Sequence, residues 1–122
     1  MPNPVTHFEI IGKDAKKLQD FYAQLFGWKV DANNPMNYGM VEAQDGHGAG
    51  GGISSSPDGQ SYVTIYAEVD DPQAILDKAV SLGGKVIMPV TTIPGTVTLA
   101  QFADPEGHMI GITASEVPGH PH

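Results

Sequence analysis

The sequence predicts an α+β fold built from two tandem βαβββ modules. Three observations carry that prediction. Strand and helix periodicities follow the order strand, helix, three strands; that order occurs twice; and a breaker-rich stretch separates the two occurrences. From Val5 to Ile11 a β-prone run leads into Asp14, after which apolar residues fall at helical spacing at Leu18, Phe21, Tyr22, Leu25 and Phe26. Asp14 can accept the amide hydrogens of a first helical turn, and Gly27 can adopt the positive φ that ends a helix, which sets the helix at about 14 to 26. Three β-like pieces follow, Trp28 to Asp31, Tyr38 to Ala43 and Gly50 to Ser54, joined by Asn/Pro and Gly-rich turns.

The second occurrence opens with Tyr62 to Val69 as a strand and Asp71 as a helix cap. Ile75, Leu76, Ala79 and Leu82 then form an apolar helix face closed by Gly83 and Gly84. Lys85 to Thr91, Thr96 to Ala103 and Met109 to Thr113 complete it. A shift of 57 residues carries Asp14 onto Asp71, Leu18 onto Ile75, Leu25 onto Leu82, Gly27 onto Gly84 and Val30 onto Ile87, so caps, helix faces and following strands agree at one offset. Residues 1–122 are therefore expected to form one domain, with module one at about 5–54, a linker at about 54–61, module two at about 62–113 and a frayed tail over 114–122.

Composition removes several kinds of chemistry. The 122 residues include no cysteine, which excludes disulfides, thiolate metal sites and cysteine nucleophiles and leaves His, Asp and Glu as the metal-binding side chains. Six basic against 14 acidic residues give a formal charge of -8, which repels phosphate backbones and anionic lipid. All six basic residues are lysines (13, 16, 17, 29, 78 and 85), so no guanidinium fork is present to grip a carboxylate or phosphate. An acidic surface favours neutral or cationic ligands. Nucleic acid and membrane are not expected as partners, no run approaches the length of a membrane span, and a soluble, cytoplasmic protein is expected.

Two motifs give the repeat a family likeness. The opening HFEIIGKDAKKLQDFYAQLFGW places a His seven residues before the helix-capping Asp, and an F-Y pair before L-F-G-W. The closing DPEGHMIGI is similar to a D-P-x-G-N-x-x-E-L hairpin. With GGKVIMPVTTIPG between them, the chain resembles, over about residues 5 to 113, the vicinal oxygen chelate superfamily of glyoxalases, bleomycin resistance proteins and extradiol dioxygenases, in particular small proteins related to lactoylglutathione lyase. The resemblance implies a half-barrel of two curved sheets around a small-molecule cavity and a divalent metal. It implies two ligands from each module, one at the start of the first strand and one, commonly Glu, in the last. His7 stands at the first such position; the others fall on Gly52, on Thr64 and on Gly111. Glycine offers no ligand atom and a neutral Thr hydroxyl is a poor one, so only His7 is retained, and neither a standard metal site nor another cofactor is expected.

Strand parity names the remaining candidates. If His7 faces the cavity, Glu9 does too, about 6 to 7 Å away, while Phe8 and Ile10 pack under the helices. By the repeat, Thr64, Tyr66 and Glu68 face inward as ligand-binding residues, with Ile65, Ala67 and Val69 in the core. His7 and Glu9 are the candidates for catalysis or for sharing an ion; the alternative is that Glu9 is a structural partner of His7 or of a backbone amide. His47 lies in a Gly-rich turn, His108 takes the Asn place of the closing hairpin where a turn hydrogen bond is expected, and His120 and His122 are in the tail. The AGGG stretch lacks the context of a phosphate cradle, and its glycines are expected to bend a strand or admit a close approach. Trp28, Met36, Tyr38, Met40 and Met88 are expected in the core, at an interface or along an apolar pocket.

Three functions stay open. The first is a metal-independent protein that sequesters or processes a small neutral or cationic molecule, with His7 and Glu9 as acid–base groups. The second is a metal-dependent lyase or dioxygenase with rearranged ligands around His7 and Glu9. The third is a non-catalytic accessory or regulatory protein. A homodimer is the expected assembly, as is common for family members of this size.

Overall fold

The computed structural model describes residues 2–34, 37–43, 48–95 and 97–115. The chain divides into two compact units, one holding Thr6–Ile65 and the other the remaining residues. The first carries β1 (Val5–Gly12, less its first residue), α1 (Ala15–Phe26), β2 (Val30–Asp31), β3 (Gly39–Val41), β4 (Gly50–Ser55) and the opening of β5 (Tyr62–Val69). The second carries the rest of β5, α2 (Pro72–Ser81), β6 (Lys85–Ile93), β7 (Val97–Ala103) and β8 (Met109–Ala114). The α+β class and the doubled βαβββ order are those the periodicities predict.

Both helices start and stop where the sequence provides a cause. Asp14 Oδ1 accepts from Lys17 N at 3.0 Å, and Gly27 closes α1 at φ 72°. Asp71 Oδ1 accepts from Ala74 N at 3.2 Å with Pro72 at the head of α2, where its missing amide hydrogen costs nothing. Within each unit the first and last strands run side by side in parallel: β1 beside β4, with Glu9 opposite Gly52, and β5 beside β8, with Tyr66 opposite Gly111. Antiparallel neighbours extend each sheet, to β3 and then β2 in the first unit and to β7 and then β6 in the second.

Each helix is held differently. α2 buries Leu76, 1% exposed, against Val69, Ala100 and Ile112. α1 has no fully buried residue. Its Gln19 amide instead donates to the Ile53 carbonyl at 2.8 Å, and Tyr22 and Phe26 gather with Phe8 around Trp28 at ring separations of 5.0 to 5.7 Å. That cluster explains one departure from the sequence reading. Trp28 was expected to begin a strand but packs its ring on the helix, and β2 is only Val30–Asp31. A second departure is Ile65, expected in the core with Ala67 and Val69 but 40% exposed; Ala67 and Val69 do pack on the core. Alternation therefore fixes the face of Ile65 without fixing its burial.

Leu76→Ala is expected to lower the free energy of unfolding by about 2–5 kcal/mol, because the site is closed on all sides and leaves a cavity. Urea denaturation would read this as a lower midpoint at unchanged slope.

Candidate ligand-binding site

β1 carries His7 and Glu9 on one face, and a tyrosine that sequence parity did not single out for chemistry joins them. The Tyr38 hydroxyl donates to Glu9 Oε2 at 3.0 Å and lies 2.8 Å from His7 Nε2. A hydroxyl has one hydrogen. If Tyr38 gives it to the carboxylate, His7 must donate through Nε2–H, and the lone pair of the neutral ring is then on Nδ1. Burial lowers the His7 pKa from its ordinary value of 6.5, which favours that neutral ring. Tyr62 stands against the same carboxylate: burial first, then the charge of Glu9 and a hydrogen bond to it, raise the phenol above its ordinary value of 10.0.

Two features place Tyr38 here. The Asn34 side chain clamps its backbone, accepting from Tyr38 N at 3.0 Å and donating to Tyr38 O at 2.7 Å, which holds the residue ahead of β3 (expected to begin at Tyr38) instead of in its ladder. Gly52 then gives the ring room: a Cβ at that position would fall inside the Tyr38 phenol. The neighbouring Gly51 likewise admits the Phe8 ring on the opposite face, so the glycine run is needed for close approach, as expected. An aromatic side chain lying diagonally across a strand glycine is a known way of restoring the packing the glycine lacks. The signal was in the sequence as an inward glycine with a tyrosine two residues ahead of the strand position opposite it.

The second unit repeats the device with other residues. Gly111 is covered by the Tyr66 ring, and Gln101, opposite Gly111 on β7, donates through Nε2 to the Tyr66 hydroxyl at 2.9 Å. Tyr66 and Thr64 are 6% and 4% exposed; the Thr64 hydroxyl reaches the Ile65 carbonyl at a long 3.4 Å. Glu68 is half-buried opposite Thr113, with its amide donating to Pro4 O. Gln101, Tyr62 and Asn34 had no distinguishing pattern in the sequence. Met36, His47, His120 and His122 lie outside the described residues. His108 makes a turn contact, its Nδ1 3.0 Å from Asp104 Oδ2; the His108 amide first, then its ring and the Glu106 amide, hold the Asp104 carboxyl below its usual range. Two shallow concavities, of about 350 and 280 Å³, belong to the second unit's own hairpin and helix and include none of His7, Glu9, Tyr38, Tyr62, Thr64, Tyr66 or Glu68.

The four positions at which the family resemblance would put metal ligands do not fit a metal. His7 is a competent donor, but the seats at 52 and 111 hold tyrosine rings and Thr64 offers a hydroxyl turned to backbone. Among the described residues no group of three or more His, Asp or Glu side chains could hold an ion.

The doubled βαβββ order, with each first strand parallel to the last of its unit, is that of a known class of proteins. A family model for the glyoxalase/bleomycin resistance protein/dioxygenase superfamily matches residues 5–112, and the chain belongs to that superfamily. It is 32% identical over 106 residues to CFP32 of Mycobacterium bovis and of Mycobacterium tuberculosis, proteins that carry a glyoxylase name. That match takes 81% of this chain and 41% of theirs, so the chain spans about two fifths of the length of these relatives. Similar solved structures include methylmalonyl-CoA epimerase from M. tuberculosis (TM-score 0.67, 12% identity, covering 97% of this chain and 91% of that one). A superfamily member from Vibrio splendidus is also similar (TM-score 0.59, 17% identity, covering 93% and 100%). At such identities these two comparisons speak to the fold alone. No helix among the described residues is long and apolar enough to cross a membrane.

The lowered His7 pKa has a stability consequence whose sign is fixed. The unfolded chain takes up a proton as pH falls below about 6.5 while the folded chain resists it, so folding is weakened through that window and further until the folded pKa is passed. His7→Gln should flatten the fall in chemical-denaturation midpoint between about pH 7 and 5.5. An unchanged slope would show that His7 protonates as freely in the fold as outside it.

Proposed function

We propose that this chain is a metal-independent, small-molecule-binding member of its superfamily in which His7, Tyr38 and Glu9 act as one acid–base group. The observation that carries this reading is the Tyr38 hydroxyl, bonded at 2.8 Å to an imidazole and at 3.0 Å to a carboxylate. In that arrangement the carboxylate stabilises positive charge gained by the ring, so His7 is the group suited to take a proton from a bound molecule and Glu9 the group that supports it. Tyr62 also hydrogen-bonds this carboxylate. Binding without turnover would use the same groups to hold a neutral polar ligand.

The ligand is a small neutral or cationic organic molecule. Another similar structure is a methylmalonyl-CoA epimerase in complex with methylmalonyl-CoA, but a ligand with several phosphates needs cations, and none of the six lysines is among the site residues. Glu9 beside the tyrosine hydroxyls disfavours an anion further. The protein is expected to work as a homodimer in the cytoplasm, bound to neither nucleic acid nor membrane.

Thermal denaturation against a panel of neutral, cationic and anionic metabolites, with metal analysis of the same preparation, tests this. At a ligand concentration about 100 times Kd the stabilisation should reach about 2.7 kcal/mol. It should come from neutral or cationic compounds and shrink in Glu9→Gln and in Tyr38→Phe. One equivalent of a tightly held divalent metal, with stabilisation lost on chelation, would return the metal-dependent reading around His7 and Glu9. Stabilisation by anionic compounds alone would refute the charge argument.

A further inference from the structure

The glycines at 52 and 111 hold the same place in their modules. Each lies in the last strand, directly opposite the second inward residue of the first strand, Glu9 in one case and Tyr66 in the other. Each is overlaid by a tyrosine ring so closely that a Cβ would fall within it. In both, the phenol crosses the glycine strand to bond a partner on the strand beyond. Tyr38 starts ahead of β3, crosses β4 and reaches Glu9 and His7 on β1; Tyr66 starts on β5, crosses β8 and reaches Gln101 on β7. The two tyrosines are not repeat equivalents, and they cross in opposite directions. One such overlay is ordinary packing. The same overlay reached from opposite sides, at the two positions where the resemblance would put a carboxylate, is a replacement.

We infer that the Gly52–Tyr38 and Gly111–Tyr66 pairs each put a hydrogen-bonding phenol, within their own unit, where a chelating carboxylate would stand, so that the site at His7 takes an uncharged, hydrogen-bonding ligand and shuts a divalent cation out. The inference rests on the metal-independent reading above and makes it a property of paired residues. Ring and carboxylate compete for one volume: Gly52→Glu alone must displace the Tyr38 ring, and with it both hydrogen bonds that organise His7 and Glu9. Regaining a metal therefore takes two changes. With the ring removed, His7, Glu9 and a glutamate at 52 would come from adjacent strands, a donor set of the kind Zn²⁺, Ni²⁺ and Mn²⁺ accept.

The test is calorimetric titration of Ni²⁺ and Mn²⁺ into the chelator-treated full chain, with thermal denaturation of each variant. Wild type is expected to bind neither ion at one equivalent. Gly52→Glu should melt lower and gain no affinity. Tyr38→Ala with Gly52→Glu should bind one equivalent at least roughly tenfold tighter than wild type, within the range by which groups around a metal change its affinity; adding His7→Ala should abolish the gain. The pair Tyr66→Ala with Gly111→Glu should relieve the melting defect of Gly111→Glu in the same way. If Gly52→Glu alone is as stable as wild type and gains the metal, or the folded double variant gains nothing, the exclusion is overturned while the proposed function stands. If wild type binds one equivalent and His7→Ala loses it, the proposed function falls as well. Should the double variant not fold, Gly52→Ala reads the same competition: its His7 ring resonances should move to where Tyr38→Phe puts them, and resonances left at wild-type positions would overturn the inference.

Discussion

The parallel register of β1 against β4 is the constraint on which the candidate site depends. It sets His7, Phe8 and Glu9 opposite Gly50, Gly51 and Gly52, so three side chains of one strand face a strip of the next that has none. The missing side chains create room on both faces at once. Phe8 uses it on the side of Trp28 and the helix, and Tyr38 uses it on the side of His7 and Glu9. A shift of one residue in this pairing would turn His7 and Glu9 toward the helix and strand Phe8 in the polar site. The aromatic cluster under α1 and the polar triad above the sheet therefore fix each other's registration through one backbone strip.

That coupling gives the site a rigid origin. Tyr38 is held at its backbone by Asn34 and at its hydroxyl by Glu9 and His7, with its ring lying over Gly52. Burial lowers the pKa of the imidazole, and the single hydroxyl hydrogen ties the histidine tautomer to the ionisation of a carboxylate two residues along the same strand. Burial thus acts on the proton affinity of His7 while the hydrogen bonds to Tyr38 set its geometry.

The parts of this arrangement legible in the sequence are those with a period or a local cause. Asp14, Asp71 and Gly27 mark helix ends through capping chemistry that needs no tertiary partner. The alternation of β1 separates His7 and Glu9 from Phe8 because a strand has a period of two. Tyr38 was legible only as an aromatic residue near a pocket. Its role arises from a strand glycine fourteen positions away in sequence, and periodicity within one strand carries no information about the diagonal neighbour on the next. Ile65 shows the converse limit: its face follows from alternation, but whether that face is covered depends on packing that the strand itself does not encode.

The tautomer of His7 tests the central interaction most directly, by ¹⁵N resonances of the imidazole in the folded chain at neutral pH. The expected result is a proton on Nε2, hydrogen-bonded to Tyr38, with that preference relaxed in Tyr38→Phe and in Glu9→Gln. A ring protonated on Nδ1, indifferent to both substitutions, would contradict a Tyr38 hydroxyl that joins His7 to Glu9.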